Sequence, residues 1–96
     1  MIKLIEVVQT RNIKEDLSFR EIFVNPDHVI FLREDTNMKI RLKEGSCNFP
    51  AGLDTRQSFT RVQVHNGTTG TEFVVVGMPH IVEAKLKGDK KELLRG

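Results

Sequence analysis

Met38-Lys39-Ile40-Arg41-Leu42-Lys43 alternates apolar and cationic side chains without interruption. A period of two suits a pleated strand, with Met38, Ile40 and Leu42 toward a core and Lys39, Arg41 and Lys43 in water, and it does not suit a helix. Just before it, Asp35-Thr36-Asn37 is short and polar enough to close a hairpin with a strand over residues 28–34.

Outward from this hairpin the chain keeps reading as sheet. Residues 2–8 are mostly β-branched or aliphatic on both faces, as in a strand buried on two sides. Residues 10–16 form a polar connection. Residues 17–24 follow as a second strand, with Leu17, Phe19 and Phe23 on one side and Ser18 and Arg20 on the other. Asn25-Pro26-Asp27 ends it in a turn, since proline presets its own φ and the flanking side chains can bond nearby backbone. Residues 58–65 and 71–76 are strand-like, and Asn66-Gly67-Thr68-Thr69-Gly70 between them tolerates the positive φ that a tight hairpin needs.

Pro79 then opens a helix over residues 80–87, with lysines near its end and Gly88 placed to stop it. The fold expected is mainly β, of α+β type: six antiparallel strands forming a roll, open barrel or sandwich, with one C-terminal helix. Residues 1–88 make a single β-rich domain, and residues 89–96 a charged C-terminal tail. Phe19, Phe23, Phe31, Phe59 and Phe73 all fall in expected strands and supply the core.

Composition narrows the function. Ninety-six residues, 39% hydrophobic and 29% charged, describe a globular chain of one domain. So small a domain buries more apolar surface by pairing with copies of itself, so a homo-oligomer is expected. Fifteen basic against thirteen acidic residues leave a net charge of +2, too slight to imply nucleic acid on its own. With one cysteine, Cys47, there is no internal disulfide and no cysteine-based zinc cluster, which suits a reducing, cytoplasmic setting. The N-terminus carries charge where a signal peptide needs an apolar run, and no long apolar stretch suggests a membrane.

His28, His65 and His80 have no spacing that sets two imidazoles side by side, so no metal or other cofactor is expected. Each reads as an ordinary strand, turn-side or helix-start residue. Cys47 and Ser58 sit in no nucleophile motif, and Gly67-Thr68-Thr69-Gly70 lacks the lysine and strand-to-helix setting of a phosphate loop. The chain is therefore read as non-enzymatic.

Three features bear on binding. Lys39, Arg41 and Lys43, on one strand face at about 6.6 to 6.8 Å spacing, make a cationic rail matched to successive phosphates, or else a solvated edge. Residues 44–57 form a long irregular segment in which Phe49 offers a ring to a partner or folds back on the core. Arg56 and Arg61 flank the next strand and can clamp an anion, while Asp54 can close an Asx turn or pair with Arg56. Six phenylalanines with no tyrosine or tryptophan weigh against a dedicated RNA reader.

The leading expectation is thus a small binding or regulatory accessory protein that engages a protein or an anionic ligand through Lys39, Arg41, Lys43, Phe49, Arg56 and Arg61. A nucleic-acid binder using the basic strand face is the alternative. Arg20-Glu21-Ile22-Phe23-Val24-Asn25-Pro26-Asp27-His28-Val29-Ile30, after a Met1-Ile2-Lys3-Leu4 start, resembles the opening of the small FlbD-like flagellar accessory proteins. It is also similar to short phage-encoded β-rich proteins with an Asn-Pro-Asp/Glu-His turn. The resemblance implies a compact β-rich accessory protein without catalytic residues. A phage-type oligomer that sequesters a small nucleotide is a further alternative.

Overall fold

A computed structural model describes residues 1–9, 16–45, 48–50 and 52–95, with the side chains of residues 66 and 89–95 outside that description. Most of the expected 10–16 connection, and Cys47, therefore lie outside the described residues. The fold is mainly β: strands β1 (Ile2–Gln9), β2 (Leu17–Val24), β3 (Val29–Glu34), β4 (Phe59–Asn66) and β5 (Thr69–Val76), helices α1 (Thr36–Glu44) and α2 (Pro79–Arg95), and a 3₁₀ turn at Pro26–His28. All five strands belong to one open antiparallel sheet in the order β2-β1-β5-β4-β3.

Two expectations are corrected here. The alternating stretch from Met38 to Lys43 is not a strand; it lies inside α1. Alternation and helical periodicity coincide at i and i+4, so Met38 and Leu42 share the inward side in either conformation, and Leu42 is the buried residue of the helix. Ile40 separates the two readings, being 52% exposed. The ends settle the choice: the Asp35 carboxylate accepts from Met38 N–H at 3.0 Å as N-cap, and Gly45 closes the other end with φ at 71°. Five strands and two helices result, not six and one. The second correction concerns Gly88, which lies within α2 and does not end it.

The strand register defines two faces. One carries Leu4, Ile2, Ile22, Val24, Val62, Val64, Phe73, Val75, Val29 and Leu32, and α2 lays Val82 and Leu86 against it to form the main core. Phe23, expected in the core, points to the opposite face and is 60% exposed, because Ile22 and Val24 are the inward residues of β2. On that opposite face the sheet buries Phe59 and Leu17, with the Phe49 ring 5.9 Å from that of Phe59. Asn48 holds the same loop to β2, its carbonyl accepting from Leu17 N–H at 2.9 Å.

The sheet cannot be flat. Val24 stands opposite Ile2, whereas Val29 stands opposite Val64, about eight residues further along the register of β1. In a flat sheet these two ends would lie about 33 Å apart, from four strand spacings and about 26 Å of strand rise. Five Cα steps reach at most about 19 Å. The four residues from Asn25 to His28 therefore pull the far corners of the sheet together, and among the described residues β1 meets β5 through the pairs Glu6–Val75 and Val7–Val74. The result is a folded-over sheet with α2 packed against β1, β3, β4 and the 3₁₀ turn.

Candidate functional site

Where the corners meet, a cleft of about 340 Å³ opens. Met1, Ile22, Phe23 and Val24 form one wall, Val64, His65 and Phe73 the other, and Asn25 and His28 the rim. The chain builds this rim locally. Asn25 Oδ1 accepts from Asp27 N–H at 3.0 Å, Pro26 occupies the first helical position, and Val29 N–H returns to the Pro26 carbonyl, so the turn delivers His28 to the cleft mouth. His65 arrives from β4, opposite Gly70 beside the hairpin end. Both imidazoles are exposed, and none of the lining residues is a lysine, arginine, aspartate or glutamate.

The residues expected to bind do not converge on this cleft. In α1, Lys39 and Lys43 are one turn apart on the same side, while Arg41 is turned about 200° from each. The spacing expected of a phosphate rail is lost with the strand that was to carry it. Lys39 Nζ also lies 3.8 Å from the Glu34 carboxylate. Phe49 takes the inward alternative, half-buried against Phe59.

Arg56 and Arg61 are engaged separately. Asp54 Oδ1 accepts from Arg56 N–H at 2.8 Å, and Arg56 Nη2 sits 3.3 Å from Asp54 Oδ2, so the Asx turn and the ion pair form together. The backbone N–H of Arg56, and then its side chain, holds the Asp54 carboxyl below the ordinary aspartate value. An open depression of about 410 Å³ lies beside this pair, bordered by Gln57, Ser58 and Met78.

Arg61 Nη2 donates to Asp35 Oδ2 at 2.9 Å and lies 3.9 Å from Glu72 through Nη1. Asp35 is a buried carboxylate, its side chain 4% exposed, so Arg61 neutralises the cap of α1. Arg61 thus has its charge matched by Asp35 and Glu72 within the chain, which weakens its pull on a separate anionic ligand.

Among the described residues no helix is long and apolar enough to cross a membrane, and no group of three or more His, Cys, Asp or Glu is placed to hold a metal ion. The cleft residues escaped the sequence reading because Ile22, Val24, Val64 and Phe73 look like ordinary core. The one local signal was the Asn25-Pro26-Asp27-His28 turn, which brings the two walls together.

Comparison of the chain with protein families, with curated proteins and with solved structures found no match. The comparisons therefore do not bear on the expected FlbD-like and phage-protein resemblances.

Proposed function

We propose that this chain is a non-enzymatic binding module of accessory type whose recognition site is the cleft at the folded corner of the sheet, and that its guest is an apolar side chain of a protein partner. The observation that carries this reading is the lining itself: aliphatic and aromatic walls that include one imidazole, a second imidazole and a carboxamide at the rim, and no lysine or arginine side chain. Apolar walls with a few convergent polar groups are the ordinary make-up of a binding pocket. A phosphate or nucleotide guest calls for arginine or lysine, and the cleft supplies neither. With Lys39, Arg41 and Lys43 distributed around a helix and Arg61 tied to Asp35, the nucleic-acid alternative has lost the geometry that suggested it.

Titration of isotope-labelled protein with N-acetyl-phenylalanine amide, with adenosine monophosphate and with inorganic phosphate tests the reading by nuclear magnetic resonance. The expected result is saturable shifts at Phe23, Asn25, His28, His65 and Phe73 for the aromatic amide, removed by Phe23→Ala, and weaker or scattered shifts for the two phosphates. Stronger, localised shifts with the nucleotide would transfer the site to the nucleotide-sequestering alternative. Shifts that avoid these residues altogether would end the assignment of the cleft.

A further inference from the structure

β2 is an edge of the sheet, and its outer side offers backbone as well as side chains. Leu17 N–H points away from β1 and donates to the Asn48 carbonyl at 2.9 Å, within a parallel bridge between Asp16 and Asn48. Backbone direction alternates along an antiparallel ladder, so Phe19, Glu21 and Phe23 present their N–H and C=O groups on that same outer side. Among the described residues no backbone group meets these three. The edge thus already holds an extended piece of its own chain at one end, and it stands open from Phe19 to Phe23, where it reaches the cleft.

The side chains along the open stretch sort by face. Arg20 and Ile22 lie on the side covered by α2, the side on which the cleft runs between Ile22 and Phe73, and Glu21 and Phe23 lie on the other. An extended guest antiparallel to β2 meets, in its own chain order, Phe23, Ile22, Glu21 and Arg20. Its residue opposite Ile22 stands in a close pair without ladder bonds, and that side chain turns into the cleft. Its residue opposite Glu21 exchanges both ladder bonds and faces an exposed carboxylate, and the next one faces the exposed guanidinium of Arg20.

We propose that the partner segment seated in the cleft is an extended strand added antiparallel to the β2 edge, with the order apolar, apolar, basic, acidic opposite Phe23, Ile22, Glu21 and Arg20. This rests on the reading of the cleft given above and deepens it: the cleft takes the second apolar side chain, and the edge takes the backbone. In strand addition main-chain bonds supply affinity and alternate side chains supply selection. Glu21 and Arg20 sit in exposed pairs with Lys3 and Glu6, so meeting the guest strips no buried ion from the edge. A second copy of this chain does not provide the segment. Its one stretch in this order, Phe31-Leu32-Arg33-Glu34, is held in β3, and an antiparallel contact of that edge with β2 reverses the sheet faces and turns Leu32 away from the cleft.

The test titrates N-acetyl-Leu-Phe-Lys-Glu amide into isotope-labelled protein, with N-acetyl-phenylalanine amide as the reference for the cleft alone. The tetrapeptide is expected to bind about tenfold more tightly than the reference, and methylation of its lysine backbone nitrogen to remove that gain. Hydrogen exchange is expected to slow at the N–H of Glu21 and Phe23, while Arg20 and Ile22, already bonded to β1, keep their rates. The charge-exchanged peptide Leu-Phe-Glu-Lys and the reversed peptide Glu-Lys-Phe-Leu are each expected to bind about fivefold more weakly.

Shifts at Val64 and Phe73 report the cleft separately. If they appear with both ligands but the tetrapeptide is no tighter than the reference, or is indifferent to methylation, or leaves Glu21 exchange unchanged, strand addition is overturned and the cleft reading stands. Equal binding of the exchanged or reversed peptide overturns the proposed order. If neither ligand shifts Val64 and Phe73, the cleft reading falls and this proposal falls with it. Every change is made in the peptide, so the folding of the chain is constant throughout.

Discussion

Replacing Arg61 by methionine removes the cation that faces Asp35 while keeping an apolar stem of similar length. The Asp35 side chain is 4% exposed and retains one described donor, the Met38 N–H at 3.0 Å, so a nearly buried carboxylate loses its countercharge. Breaking a buried pair from one side costs about 3–5 kcal/mol; because the Arg61 side chain is 37% exposed and water can reach it, the lower end, about 3 kcal/mol, is expected. Asp35→Ala costs less, about 1–2 kcal/mol, mostly the lost helix cap, since the guanidinium left behind can return to water or stay near Glu72. The double variant is then less unstable than the two losses combined, with a coupling of about 1–2 kcal/mol. Urea unfolding followed by circular dichroism measures all four corners of this cycle, and Arg61→Met alone is expected to lower the midpoint by about 2 M. Strict additivity, or an Arg61→Met protein as stable as the native one, would refute the assignment of Arg61 to the α1 cap and revive it as an anion-binding residue.

Two further expectations concern the long loop. Phe49→Ala removes the ring that stands 5.9 Å from Phe59, so a loss of about 1–3 kcal/mol in stability is expected, with binding of the aromatic amide at the cleft unchanged; preserved stability would place Phe49 outside the packed face. Because the folded Asp54 carboxyl titrates below its unfolded value, the order it lends to the turn is present at neutral pH and disappears as the pH falls through that depressed value. Amide shifts of Arg56 and Gln57 followed in an acid titration should move together below the ordinary aspartate range, and a transition near neutrality would contradict this account.

Much of the sheet was visible in the residues themselves. The second strand runs over the expected residues 17–24, the Asn25-Pro26-Asp27 turn is present with Asn25 as its cap, and the last two strands form the expected hairpin. β-branched residues bounded by turn formers report on local structure, and local structure was enough there. The stretch from Met38 to Lys43 misled because four-residue spacing serves both conformations, and the caps at Asp35 and Gly45 lay outside the alternating window. Of the cleft only the Asn25–His28 turn was legible: its walls, β2 and the β4–β5 hairpin, are some forty residues apart in sequence and meet through the bend of the sheet. The expected binding residues were chosen for charge, and charge in this chain is largely spent on partners close at hand, as for Arg61 with Asp35 and Arg56 with Asp54.

The meeting of β1 and β5 through two residue pairs among the described residues has a dynamic consequence. The β1–β2 ribbon is continuously paired and the β3–β4–β5 ribbon is broken only by the register shift between Val29 and Phe31, so among the described residues the joint between the two ribbons is where backbone protection is thinnest. With α2 resting on both ribbons, the helix acts as a clasp across a hinge. Opening at this hinge exposes the amides of Glu6, Val7, Val74 and Val75 together while leaving each ribbon intact, and it also parts the two walls of the cleft. In the function proposed for the cleft, admission of a guest and the slow breathing of the sheet are one motion.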